Sequence, residues 1–192
     1  MRIGLFGGTF NPVHLGHLLL TEGAREILSL NHVLWIPSRI PPHKSLGSGA
    51  GPEDRCRMVE LAIEGHPNFH LSRLELERPG PSYTIDTVLQ LQKEYSGAEH
   101  EWYFLLGSEA AEALPTWRES QRLFTLVKFA AVPRPGLPVG RLPEQVRLIP
   151  VPTIHLSASE IRERVGQVKS IRYLVPELVR KFIEEKGLYR RS

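Results

Sequence analysis

Cysteine is nearly absent: Cys56 stands alone in 192 residues. No internal disulfide can form and no cysteine-based zinc site can be assembled. Arg55 and Arg57 flank that thiol and would favour a thiolate, but a buried structural thiol is the expected state. Long apolar runs are missing too, and none nears the ~20 residues that span a bilayer. No membrane association is expected. The chain opens directly on strand-forming residues, without a charged segment followed by a long apolar one, which points to the cytoplasm. Charge of one sign is equally scarce, since 24 Lys+Arg against 21 Asp+Glu give a formal net charge of +3. That mild excess suits small anionic molecules and lacks the clustered basic stripe of a nucleic-acid binder, so nucleic acid is not expected as a partner. No internal repeat or low-complexity tract occurs. Whether the chain forms a homo-oligomer stays open.

What is present is an ordinary globular composition, 41% apolar and 23% charged, long enough for one domain over residues 1–192. Short apolar runs at 3–6, 32–37, 102–106, 128–132 and 146–151 predict strands. An alternating stretch at 69–77 predicts another, with one wetter face at a sheet edge. Amphipathic segments predict helices at 12–29, 53–64, 84–95, 109–114, 116–126, 157–165 and 176–186, the last capped by Gly187. In the first helix Leu15, Leu18, Leu19, Ala24, Ile27 and Leu28 are the expected inward positions. Strands alternating with helices argue an α/β, Rossmann-like, doubly wound and mainly parallel sheet with helices on both faces, ending in a small helical part at about 157–192. Such sheets bind ligands beyond the carboxyl ends of their strands. The loops after those strands carry this sequence's unusual residues.

The first of these loops is the most informative. After strand 3–6, Gly7-Gly8 break the pattern and Asn11-Pro12 open a helix. Strand, glycine turn and helix start make a phosphate site, because free backbone N–H groups and the helix dipole favour an anion there. His14 and His17, three apart, project from one side of the first turn. Donated to a phosphoryl oxygen, an imidazole N–H offsets charge that builds in a transition state. No third ligand at zinc spacing accompanies them. A second helix start lies at Leu156-Ser157-Ala158-Ser159-Glu160-Ile161-Arg162, where Ser157 and Glu160 have capping-box spacing and Arg162 sits one turn in. Two anion-friendly helix starts imply a long polyphosphate.

Gly7-Gly8-Thr9-Phe10-Asn11-Pro12-Val13-His14-Leu15-Gly16-His17 resembles the GGTFDPxHxGH signature of the nucleotidylyltransferases, and most of all the bacterial nicotinate-nucleotide adenylyltransferases. The Ser157–Arg162 stretch is similar to that family's ISSTxIR motif, with Ala158 and Ser159 in place of Ser and Thr. Pro41-Pro42-His43-Lys44 looks like its PxHK loop, Ser82-Tyr83-Thr84-Ile85-Asp86-Thr87 like its SYTxDT turn, and Arg134-Pro135-Gly136 like its RPG turn. The likeness runs from Arg2 to Tyr189. It implies adenylyl transfer from ATP to nicotinate mononucleotide, giving deamido-NAD and pyrophosphate, with Mg²⁺ brought by ATP and no resident metal. It implies His14, His17 and Arg162 as catalytic residues. ATP would meet Gly7, Gly8, Thr9, Phe10, His14, His17, Lys44, Gly107, Glu109, Arg134, Ser157, Ser159 and Arg162. Nicotinate mononucleotide would meet Thr9, Lys44, Tyr83, Thr84 and Trp117. Asn11 and Glu109 stand where the family usually has Asp; Asn11 is expected to cap the first helix. A nicotinamide or other phosphorylated acceptor, and a non-catalytic nucleotide sensor, are the competing readings.

Overall fold

In the computed structural model, which describes residues 1–42, 49–133, 136 and 140–190, six strands make one sheet. They are β1 (Arg2–Gly8), β2 (His32–Pro37), β3 (Phe69–Leu71), β4 (Glu101–Gly107), β5 (Lys128–Val132) and β6 (Val146–Leu148). Their order is β3-β2-β1-β4-β5-β6 and every pairing is parallel. The order reverses between β1 and β4, so both carboxyl ends open onto the switch-point crevice of a doubly wound sheet. The Rossmann-like expectation is met.

Period-two alternation deals the strand side chains to two cores. Ile3 and Leu5 of β1 join Leu34, Ile36, Phe104 and Leu106 on one face. Phe6 joins Val33, Trp35, Tyr103 and Leu105 on the other. Helices that cover the first face include α4 (Thr84–Glu94) with Ile85, Val88 and Leu91, α5 (Ser108–Glu112) with Ala111, and α6 (Ser120–Leu126) with Leu123. Four helices close the second, α1 (Leu15–Ile27), α2 (Pro52–Ile63), α7 (Ala158–Gly166) and α8 (Glu177–Glu185), through Ala24, Met58, Val59, Ile161, Val179 and Ile183. Central strands covered on both faces read as unbroken apolar runs, which is why residues 102–106 were legible as a strand. Truncating a fully buried side chain such as Leu105 to Ala is worth about 2–5 kcal/mol.

Four expectations are corrected. Residues 69–77 are not one strand: pairing stops at Leu71, and Leu74–Glu77 form a short helix, α3. The N–H groups of Leu76 and Glu77 both turn back to the Arg73 carbonyl, at 2.8 and 3.1 Å. An alternating Leu-Glu-Leu-Glu satisfies either geometry when three of its four residues are buried, as Leu74, Glu75 and Leu76 are. The first helix starts at Leu15 rather than 12, because the chain between Thr9 and His14 is spent in a turn with Phe10 at φ 49°. Within α1, Leu19 and Ile27 are exposed, and the inward stripe is centred on Thr21 and Ala24. Thr21 is tolerated there because its hydroxyl donates to the His17 carbonyl at 2.9 Å. The last strand ends at Leu148, short of 151.

Candidate active site

The turn after β1 shapes the centre of the site. His14 is the extended N-cap of α1, and its backbone N–H donates to Nδ1 of His17 at 3.2 Å. An accepting Nδ1 puts the proton of a neutral His17 on Nε2. The two imidazoles stack with centroids 3.7 Å apart. Gly16 makes that arrangement possible: a Cβ there would stand 3.1 Å from two atoms of the His14 ring. Buried Phe10 supports His17 edge-on at 5.2 Å. Gly8 is small for a related reason, since a Cβ would press the Phe10 ring at 2.9 Å. Phe10 occupies the left-handed region although it is not glycine. Such strain costs about 1–3 kcal/mol and persists only where surrounding contacts impose it.

Those contacts come from distant parts of the chain. Arg162 donates through Nη1 to the carbonyl of Asn11 at 2.8 Å and through Nη2 to Ser159 Oγ at 3.1 Å. The second motif is thereby locked onto the first. Ser157 caps α7 as expected, accepting the Glu160 N–H at 3.2 Å. The Leu15 N–H is not free for an anion, because the Leu174 carbonyl takes it at 3.0 Å. Asn11 does not cap α1, whose N-cap is His14. Its side-chain oxygen instead gathers two donors, the Ala50 N–H at 3.1 Å and the Tyr189 hydroxyl at 2.8 Å. Burial pushes the Tyr189 phenol above its ordinary range, so it remains a donor.

The loop after β2 joins in. The Ser38 N–H bonds the Gly8 carbonyl at 2.9 Å. Fully buried Arg55 of α2 reaches the carbonyls of Thr9 at 2.6 Å and Arg39 at 3.1 Å. Arg39 N–H meets Ser82 Oγ at 3.0 Å, and Ser82 N–H meets the Ile40 carbonyl at 2.9 Å. The Ser82–Thr87 stretch is therefore tied to the same crevice. Thr84 is not the cap of α4; it is the first helical residue, and Tyr83 is the N-cap, without a side-chain bond. Behind this turn, buried Glu75 accepts the Thr87 hydroxyl at 2.7 Å, and burial raises its carboxyl pKa. On the far side Arg118 lies 4.8 Å over the Tyr83 ring and 3.7 Å from Asp86. Its neighbour Trp117 is half-buried, edge-on to Phe104 at 5.9 Å.

Gly107 and Glu109 stand where β4 passes into α5, across the switch point from β1. Around Gly107 a Cβ would touch nothing, which leaves open space at the end of β4. Gly7 lies near the end of β1, where its own Cβ would rest 3.4 Å from Phe104. Lys44 and Arg134 fall outside the described residues. Cys56 is fully buried and burial raises its thiol pKa, in keeping with a structural role. Among the described residues no group of three His, Cys, Asp or Glu could hold a metal ion, and no helix is long and apolar enough to cross a membrane.

Three contributors carried no assigned role in the sequence: Arg55, Arg118 and Tyr189. Arg55 did leave a signal, since it shares the inward stripe of α2 with Met58 and Val59, three and four residues on. An arginine on an apolar face needs carbonyl or acid partners. Tyr189 left none, because nothing local places a C-terminal hydroxyl beside Asn11.

A doubly wound parallel sheet whose switch point holds two stacked imidazoles, a helix start and an inward arginine defines a nucleotide-handling α/β protein. The comparisons narrow this. A family model described as cytidylyltransferase-like matches residues 5–164. A Geobacillus thermodenitrificans protein named as a probable nicotinate-nucleotide adenylyltransferase is 48% identical over 188 residues, 98% of this chain and 86% of its own. A Thermus thermophilus protein of the same name is 44% identical over 190 residues, 99% of this chain and 100% of its own. The solved Plasmodium falciparum nicotinic acid mononucleotide adenylyltransferase complexed with NaAD aligns with a TM-score of 0.81 at 20% identity, covering 98% of this chain and 97% of the other. The last likeness speaks for the fold. The chain belongs to the cytidylyltransferase-like family and, within it, to the nicotinate-nucleotide adenylyltransferases.

Proposed function

We propose that the chain is an adenylyltransferase that joins ATP to nicotinate mononucleotide. A 5′-phosphate oxygen of the mononucleotide attacks the α-phosphorus of ATP, the bond from that phosphorus to the β-phosphate oxygen breaks, and pyrophosphate leaves with deamido-NAD as product. No covalent intermediate with the protein is needed, so positioning and charge neutralisation are the tools available. One observation carries this reading: Arg162 meets the Asn11 carbonyl beside the His14–His17 stack, at the switch point of a chain from this family.

The roles follow from placement. His17 offers its Nε2–H to the α-phosphate, where charge grows during transfer, and His14 acts as the second donor. Arg162 neutralises the polyphosphate, alongside Lys44 and Arg134 from their loops. Gly7, Gly8, Thr9 and Phe10 supply the close-approach backbone, and Gly107 and Glu109 flank the nucleotide from β4. Ser157 and Ser159 hold α7 and Arg162 in place. Thr84, Tyr83 and Trp117 receive the pyridine nucleotide, with Thr9 and Lys44 at its phosphate. A carboxylate gains more than a carboxamide from the N–H groups at the start of α4, which is the physical case for nicotinate over nicotinamide. Magnesium enters on the ATP phosphates, as it commonly does when few carboxylates are at hand.

Pyrophosphate release, measured with ATP and a small acceptor panel, tests the reading. Nicotinate mononucleotide should give the highest kcat/KM. A preference for the amide would reassign the acceptor, and silence with every acceptor would leave nucleotide binding without chemistry.

A further inference from the structure

Arg55 is a buried cation without an acid beside it. It has no exposed surface, and its Nε has no hydrogen-bond partner among the described residues. All 21 Asp and Glu residues of the chain are described, and none forms an ion pair with it. Burial lowers its proton affinity, but guanidinium starts so basic that it stays charged. A desolvated charge met, among the described residues, by carbonyl dipoles is a cost to the free protein, and such a charge is commonly retained for what it does.

Its position suggests what that is. Nη1 grips the Thr9 carbonyl at 2.6 Å and Nη2 the Arg39 carbonyl at 3.1 Å, so one guanidinium spans the loops after β1 and β2. In a planar trans peptide the C=O and the following N–H point in opposite directions. With the Thr9 carbonyl turned in on Arg55, the Phe10 N–H is turned away from α2, and it makes no hydrogen bond among the described residues. The same grip holds the peptide that leads into Phe10 at φ 49°. Arg162 holds the same turn two residues on, at the Asn11 carbonyl.

We propose that Arg55 is a positioning residue for the polyphosphate: bound phosphates balance its buried charge, and its hold on the Thr9 carbonyl aims the Phe10 N–H at them. This rests on the polyphosphate reading of the site. A mere clamp between loops would need the hydrogen bonds but not the charge. The test therefore separates the two by calorimetric titration of the whole protein with inorganic tripolyphosphate. Arg55→Gln keeps a donor for a carbonyl and removes the charge; Arg55→Lys keeps the charge. The dissociation constant should rise roughly tenfold or more in the Gln variant and stay within about threefold of wild type in the Lys variant. Equal affinity in wild type and Arg55→Gln overturns the proposal. Should the Gln variant not fold, the wild-type Phe10 amide decides by NMR. A large downfield proton shift on adding tripolyphosphate supports the aiming of that N–H, and an unmoved resonance overturns it. Wild type that neither binds tripolyphosphate nor releases pyrophosphate overturns the polyphosphate reading itself.

Discussion

Arg162 donates to the backbone carbonyl of Asn11 at 2.8 Å across 151 positions of sequence. Each residue sits in a motif that could be read alone as a helix start and its turn. Joined, they make one site, because the guanidinium fork ties the loop after β1 to α7. Ser159 takes the fork's second nitrogen at 3.1 Å.

The fork predicts that Arg162 is not replaceable by another cation. A lysine ammonium carries the charge but cannot hold the Asn11 carbonyl and Ser159 hydroxyl in one planar geometry. Arg162→Lys should lower kcat/KM for ATP by at least about tenfold, and Arg162→Ala by roughly 10²–10³-fold, the scale of one lost transition-state donor. Steady-state pyrophosphate release checks both. A lysine variant with wild-type kinetics would show that charge alone suffices.

His17 should matter to chemistry and little to folding. Its Nδ1 accepts the His14 N–H, so in the proposed reaction the proton it offers is the one on Nε2. His17→Ala should reduce kcat by roughly 10²–10³-fold, with thermal unfolding moved by no more than a few degrees. Unchanged turnover would remove His17 from the reaction.

Tyr189 should show the opposite balance of effects. Its hydroxyl is one of two donors on the Asn11 side-chain oxygen, so Tyr189→Phe leaves that oxygen with the Ala50 N–H. The loss should be about 1 kcal/mol, or ~2–4 °C in Tm for a chain of this size. Because Asn11 also receives Arg162, a smaller rise in KM for ATP should accompany it. A double-mutant cycle with Arg162→Lys should give a combined effect on kcat/KM that is not the product of the two. Strict multiplicativity would mean that Tyr189 only pins the C-terminal segment.

How much of this was legible in the sequence follows from the range of each interaction. The strands and most helices were readable because alternation and 3.6-residue periodicity are local properties, and so was the glycine–histidine turn. Arg162 and the Ser157 helix start were legible too, but not the pairings through which the C-terminal chain holds the turn after β1. Leu174 on the Leu15 N–H, Tyr189 on Asn11 and Arg162 on the Asn11 carbonyl are all long-range pairings with no local signature. Asn11 shows the point in one residue: its type at a helix start suggests a cap, but tertiary partners claim its side chain while His14 takes the cap position. The stretch 69–77 failed for the converse reason, since its local pattern fits two structures and only burial chooses between them.

Glu75 gives a pH-dependent test of the turn that faces the proposed pyridine site. Its carboxyl is buried behind α4 and accepts the Thr87 hydroxyl at 2.7 Å, while Arg78 donates to that same Thr87 oxygen at 2.8 Å. Burial outweighs these partners and raises the pKa above its ordinary 4.5. A group whose folded pKa is raised binds its proton more tightly in the native state, so the stability it contributes is full below pH 4.5 and is lost as pH climbs through the folded pKa. Glu75→Gln stays neutral and is free of that loss. Thermal unfolding followed from acid to neutral pH should therefore show the Gln variant gaining on wild type once pH passes 4.5, with the gap levelling off when the wild-type carboxyl is fully ionised. A gap that is constant across the range would mean the Glu75 carboxyl titrates alike in both states, and that the Thr87 hydroxyl and the nearby Arg78 charge offset the whole cost of burying its charge.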